Sequence, residues 1–114
     1  MKFQHKAHTG QIEGIPVIFL EGDLTSEAES NVKGLFFEIK EKFPLDKIII
    51  NFEKINYLNS SGIAILITII QEVNQKNGII AFVGLSTHLQ KIMNIVGIID
   101  FVKTFKSNSE AAAM

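Results

Sequence analysis

Three small polar residues followed by glycine, Asn59-Ser60-Ser61-Gly62, are the part of this chain whose types and spacing could carry chemistry. A serine hydroxyl can attack an acyl carbon, cap a helix or accept a phosphoryl group, and its surroundings decide which. Acyl attack needs a nucleophile held on a G-x-S-x-G elbow with a histidine and an acid in reach. The turn is no such elbow, and none of the 3 histidines, His5, His8 and His88, has an evident route to a Ser–His–acid arrangement. They lack metal-ligand spacing too. Neither an enzyme nor a cofactor is expected, and the histidines read as solvated surface residues.

Capping alone does not account for the turn. One cap needs one side chain, and here three candidates stand in a row before a glycine. Gly62 in a first helical turn costs up to ~1 kcal/mol relative to Ala, and is kept where another group must approach closely. A phosphate on Ser61 would sit where helix N–H groups and the macrodipole favour negative charge, so the domain should stay folded. It would add roughly −1.5 to −2 charge to a surface that a partner touches, enough to abolish binding. Ser61 is the expected acceptor, with Ser60 as the alternative.

The elements that must position this turn are legible from apolar patterning. Residues 2 to 11 alternate loosely and read as a first strand closed by a turn at Glu13-Gly14. Ile15 to Glu21 forms a second strand, stopping at Gly22-Asp23. Ser26 and Glu29 stand in capping-box spacing, and Ala28, Val32, Leu35, Phe36, Ile39 and Phe43 follow as one apolar stripe before Pro44. A helix over residues 26 to 43 follows. Lys47 to Phe52 holds Ile48-Ile49-Ile50, a run suited to a strand buried on both faces. The apolar run Ile63 to Ile70 continues through Glu72, Val73 and Lys76 to Asn77-Gly78, about 15 residues without a turn signal, too long for an ordinary strand and natural for a helix with Gly at C′. Residues 79 to 83 form the next strand. Leu89, Ile92, Met93 and Val96 form a helical stripe ended by Gly97, residues 101 to 105 a last strand, and residues 109 to 113 a terminal helical turn.

Strands alternating with helices predict an α/β domain with a mixed, mostly parallel sheet of about five strands and about four helices, carrying one antiparallel strand at its side. In such a sheet, function gathers at the loops leaving the C-terminal strand ends. Gly22-Asp23-Leu24-Thr25 and Gly84-Leu85-Ser86-Thr87 therefore join the serine turn. Ordinary capping explains most of the hydroxyls of Thr25, Ser26, Ser86 and Thr87 at ~1 kcal/mol each. A partner-binding surface would draw on Asp23, Leu24, Thr25, Asn59, Ser60, Ser61, Gly62, Ile63, Ser86 and Thr87. The helix after the turn is apolar on every side over residues 63 to 70, which requires deeper burial or an apolar patch for a partner.

The totals narrow the partners. At 114 residues, 46% apolar and 20% charged, the chain has the composition of one soluble globular domain spanning residues 1–114. Its formal charge of −1 and lack of a basic cluster argue against nucleic acid. The absence of cysteine removes disulfides and thiolate chemistry and fits the cytoplasm. No apolar run approaches the ~20 residues of a membrane span, and the first residues lack a secretory h-region, so membrane insertion is not expected. A monomer or weak dimer is expected.

Several of these pieces together resemble a known family. They are Gly22-Asp23-Leu24, Ile48-Ile49-Ile50-Asn51-Phe52 leading to Tyr57-Leu58-Asn59-Ser60-Ser61-Gly62-Ile63, Val83-Gly84-Leu85-Ser86, Val96-Gly97-Ile98 with Asp100, and Ser109-Glu110-Ala111-Ala112. Their order and spacing resemble STAS domains, within them the bacterial anti-sigma factor antagonists. That resemblance implies a D-S-S-G turn opening the second helix, whose second serine, here Ser61, is phosphorylated by a partner that is both kinase and anti-sigma factor. It implies that the unphosphorylated domain binds this partner and frees the sigma factor, regulating transcription, and that a serine phosphatase resets the phosphoprotein. It also leaves an alternative, a STAS scaffold or accessory subunit in a stress-signalling complex or beside a lipid ABC transporter. Asn59 and Asn51 stand where the family usually has Asp; both changes remove a charge while keeping the shape, and Asn59 can still cap the helix.

Overall fold

The computed structural model describes residues 4–113. Strand β1 spans Lys6–Ile12 and β2 spans Ile15–Leu24. They pair antiparallel through a hairpin at Glu13 and Gly14, both at positive φ (52° and 81°), the backbone a two-residue primed turn requires. The expected strand start at residues 2 and 3 lies outside the described residues.

β2 does not stop at Glu21. It continues through Gly22-Asp23-Leu24, with register shifts against its neighbour on either side of Gly22. Gly22 sits at φ 80°, and a β-carbon there would fall 2.3 Å from the Gln4 carbonyl oxygen. The glycine marks a bulge under a close backbone approach, not a strand end.

The capping box expected at Ser26 and Glu29 is replaced by a different opening. Thr25 accepts the Glu27 N–H at 3.4 Å and starts a 3-10 turn over Ser26–Ala28, after which α1 runs over Glu29–Lys42. Phe43 is extended at φ −131°, ψ 146°, as the residue before Pro44 must be to avoid the proline ring.

Strand β3 covers Lys47–Leu58, well past the expected end at Phe52. Its first half pairs with both β2 and β4 (Ile79–Val83), and its second half with β2 alone. Helix α2 spans Ser60–Gln75. Its left-handed C′ residue is Asn77 (φ 58°) and not Gly78, with Gly78 N–H to Val73 O at 2.9 Å and Asn77 N–H to Asn74 O at 3.0 Å. That is a Schellman close. Gly78 is required by space, since a β-carbon there would meet Leu45 O at 2.0 Å.

Helix α3 spans Thr87–Ile95 and ends at Gly97 with φ 81°. The expected strand from Phe101 begins only at Lys103, because Ile98–Phe101 forms a 3-10 turn; β5 is Lys103–Phe105. Helix α4 spans Asn108–Ala112, capped by Ser107 Oγ on the Glu110 N–H at 3.2 Å.

The sheet is 5-stranded in sequential order, with β1 antiparallel and the others parallel. Helices α1, α2 and α3 bury one face, where Ile18, Leu20, Ile48, Ile50, Ile80 and Phe82 meet Val32, Phe36, Leu66, Ile69 and Met93. The second face, Val17, Ile49, Ala81 and Val83, packs on Ala111 of α4. All-round apolarity of α2 resolves mainly into burial. Ile65, Leu66, Ile69, Ile70 and Val73 are inside, and Ile67 is its large apolar side chain left 38% exposed.

Candidate functional site

The serine turn is built by three neighbours in space. Asn59 is extended (φ −113°, ψ −177°), and its Oδ1 accepts the Gly62 N–H at 3.0 Å, so the amide caps α2. The first helical bond follows, Ile63 N–H to Asn59 O at 3.0 Å. The Asn59 N–H reaches Leu24 O at 3.4 Å, fastening the turn to the end of β2. Gly62 completes the joint: a β-carbon would fall 2.1 Å from Leu24 O and 2.8 Å from Leu58 Cδ1. The close approach expected at Gly62 is the β2 backbone.

With Asn59 committed to the cap, neither serine is needed for it. Ser60 is exposed and Ser61 half-buried, and both precede the first helical hydrogen bond. No acidic side chain lies in the first turn of α2, so the positive end of the helix is not offset there. The arrangement offers two hydroxyls at an anion-favouring helix start.

The structure groups some of the expected partner residues and separates others. Leu24, Thr25, Asn59, Ser60, Ser61, Gly62 and Ile63 come together where β2 and β3 end in register, Leu24 opposite Leu58. Leu24 and Gly62, however, are buried and join the core and the β2–α2 joint instead of the expected partner surface. Asp23 lies one step back, opposite Tyr57. Ser86 and Thr87 do not join this group at strand level. Val83 pairs with Asn51, and β3 runs on to Leu58, about 23 Å beyond that pair at roughly 3.3 Å per residue. Ser86 is the N-cap of α3, its Oγ accepting the Leu89 N–H at 3.1 Å, which is the ordinary reading of that hydroxyl.

Two residues that the sequence reading named only as parts of the family resemblance gain a place here. Tyr57 is 53% exposed two positions before Asn59, and its place in an apolar-polar strand end gave no separate signal of a site. Asn51 is buried and makes three hydrogen bonds, to Glu53 and Asn108, which only the third dimension reveals.

With this geometry in hand, comparison with known proteins is decisive for kinship: the STAS domain profile matches residues 6–111. The chain belongs to the STAS domain family. Solved structures share the fold over nearly the whole length. The Bacillus cell fate determinant SpoIIAA in its phosphorylated form superposes with a TM-score of 0.74 at 19% identity, covering 95% of this chain and 97% of that one. An anti-sigma factor antagonist from Mycobacterium paratuberculosis gives 0.81 at 13% identity, with 96% and 92% covered. A sulfate transporter family protein from Wolinella succinogenes gives 0.77 at 18%, with 91% and 86% covered. Within the described residues, no helix of this STAS domain is long and apolar enough to cross a membrane.

Proposed function

We propose that this STAS domain is an anti-sigma factor antagonist, a binding module whose grip on a kinase-type anti-sigma factor is set by the phosphorylation state of Ser61. The observation that carries the reading is the division of labour in the turn: Asn59 caps α2 and leaves Ser60 and Ser61 uncommitted at its positive end. In the transfer, the Ser61 Oγ bonds to the γ-phosphorus of ATP as the bond from that phosphorus to the β–γ bridging oxygen breaks; the hydroxyl proton passes to a base of the kinase and ADP departs. The phosphate oxygens then lie over the amides of the first turn, so charge is added to the rim without unfolding it. The unmodified rim, with Ile63 and the exposed Tyr57 near the serines in sequence, binds the partner; the modified rim repels it. A serine phosphatase returns the domain to its binding form.

The fold shared with SpoIIAA, a protein whose structure is solved in a phosphorylated form, supports this reading. The fold shared with a sulfate transporter family protein supports a second, a constitutive accessory domain with no phosphoryl switch. Incubation with the cognate histidine-kinase-type ATPase and ATP separates them. The first reading expects one phosphate on the peptide carrying Ser61, absent in Ser61→Ala. Equal uptake by Ser61→Ala moves the switch to another residue, Ser60 first, and no uptake by either protein favours the accessory domain.

A further inference from the structure

Asn51 is the buried polar side chain of the core among the described residues, 5% exposed. Its Oδ1 accepts the Glu53 N–H at 3.0 Å, while its Nδ2 donates to Glu53 Oε1 at 2.9 Å and to Asn108 Oδ1 at 3.0 Å. The Glu53 N–H settles which end of the amide is oxygen, so both amide hydrogens are committed. An aspartate at this place would have no hydrogen to give to either oxygen.

The two groups that Asn51 joins belong to different parts of the molecule. Asn108 opens α4, which at 5 residues is too short to persist without its surroundings and which covers the second face of the sheet through Ala111. Glu53 is exposed and lies against Gly84: a β-carbon on Gly84 would fall 2.3 Å from Glu53 Cγ. Gly84 starts the loop to α3 and donates its N–H to Phe105 O at 3.0 Å. Across an open cleft of about 560 Å³, Gly84 and Thr87 look toward Lys106 and Glu110.

We infer that Asn51 is the pivot of a coupling between the loop 84–87 and the C-terminal helix α4. Glu53 can be moved by whatever engages the loop, because its carboxylate is at the surface. Asn51 cannot replace a lost partner with water, because it is buried, so displacement of the Glu53 carboxylate leaves one amide hydrogen unpaired, with the Glu53 N–H and Asn108 as its remaining partners, and loosens its hold on Asn108. The coupling is reciprocal: release of α4 loosens Glu53 against Gly84. Asn51 is thus a positioning residue, and α4 the segment through which an event at one rim reaches the opposite face. Its use by a regulatory partner rests on the reading above; the coupling itself does not.

Backbone amide exchange followed by NMR on the full chain tests it. Glu53→Ala, which removes a surface carboxylate and leaves α4 untouched in sequence, should speed exchange at the Glu110 and Ala111 amides by about two- to tenfold, with the β2 and β4 amides unchanged. Glu53→Gln, which keeps the acceptor, should restore the original rates. Asn108→Ala should shift the resonances of Gly84, Leu85 and Ser86. Unchanged α4 exchange in Glu53→Ala overturns the coupling, as does an undisturbed loop in Asn108→Ala. These outcomes do not depend on whether Ser61 accepts phosphate.

Discussion

At the scale of the residue, the two amides where the family usually carries aspartate behave differently. Asn59 keeps the capping task, with Oδ1 on the Gly62 N–H, so the lost charge changes the electrostatics of the serine turn and not its geometry. Asn51 uses the very hydrogens an aspartate lacks, and its role exists only because the residue is an amide. A third residue carries a pH effect. Both ring nitrogens of His5 are buried without a hydrogen-bond partner among the described residues, and desolvation lowers its pKa from the ordinary 6.5. The unfolded chain then takes up a proton before the folded one does, so stability is full above pH 6.5 and is lost as pH falls from there toward the lower folded value. Urea midpoints measured from roughly pH 7.5 down to about pH 5 should therefore fall, and His5→Phe should flatten that slope. An equal slope in the variant would show that other groups cause it.

At the scale of the element, glycines separate close approach from mere helix weakness. Gly62 holds α2 against the Leu24 carbonyl, so Gly62→Ala should cost about 1–3 kcal/mol by overpacking despite its better helix propensity. Gly34, inside α1, gives the contrast: a β-carbon there would meet nothing within 4 Å, so Gly34→Ala should stabilise by about 0.5–1 kcal/mol. Denaturant titration of both variants checks the pair, and a stabilised Gly62→Ala would deny that the turn is packed on β2. Much of this architecture was legible beforehand. Ile48-Ile49-Ile50 announced a central strand, and the long run after Ile63 announced α2. What escaped were features set by a neighbour. β3 runs past Phe52 through Glu53, Lys54 and Asn56 only because β2 continues beside it, and Gly22 reads as a stop in one dimension but is a bulge in three. Likewise Asn77, not the adjacent glycine, takes the left-handed position at the end of α2, because Gly78 is needed where Leu45 crowds it.

At the scale of the whole molecule, a sequentially ordered sheet places three helices on one face and a single short helix on the other. The serine turn sits at the far end of the β2–β3 ribbon, fixed to the backbone of β2, while the loop to α3 begins lower, beside Asn51 and Glu53. Charge added at such a rigid rim acts through the surface it presents. The serine turn was legible as a candidate site, since its residue types stand out without any coordinates; that β3 runs on past the level at which β4 ends was not, because the length of β3 is set by its pairing with β2. The measurement that bears most directly on the proposed switch is calorimetric titration of the kinase-type partner with unmodified protein and with protein phosphorylated at Ser61. The unmodified form should bind, and phosphorylation should lower the affinity by at least about thirtyfold with the fold retained. Equal affinity of the two forms would contradict the switch.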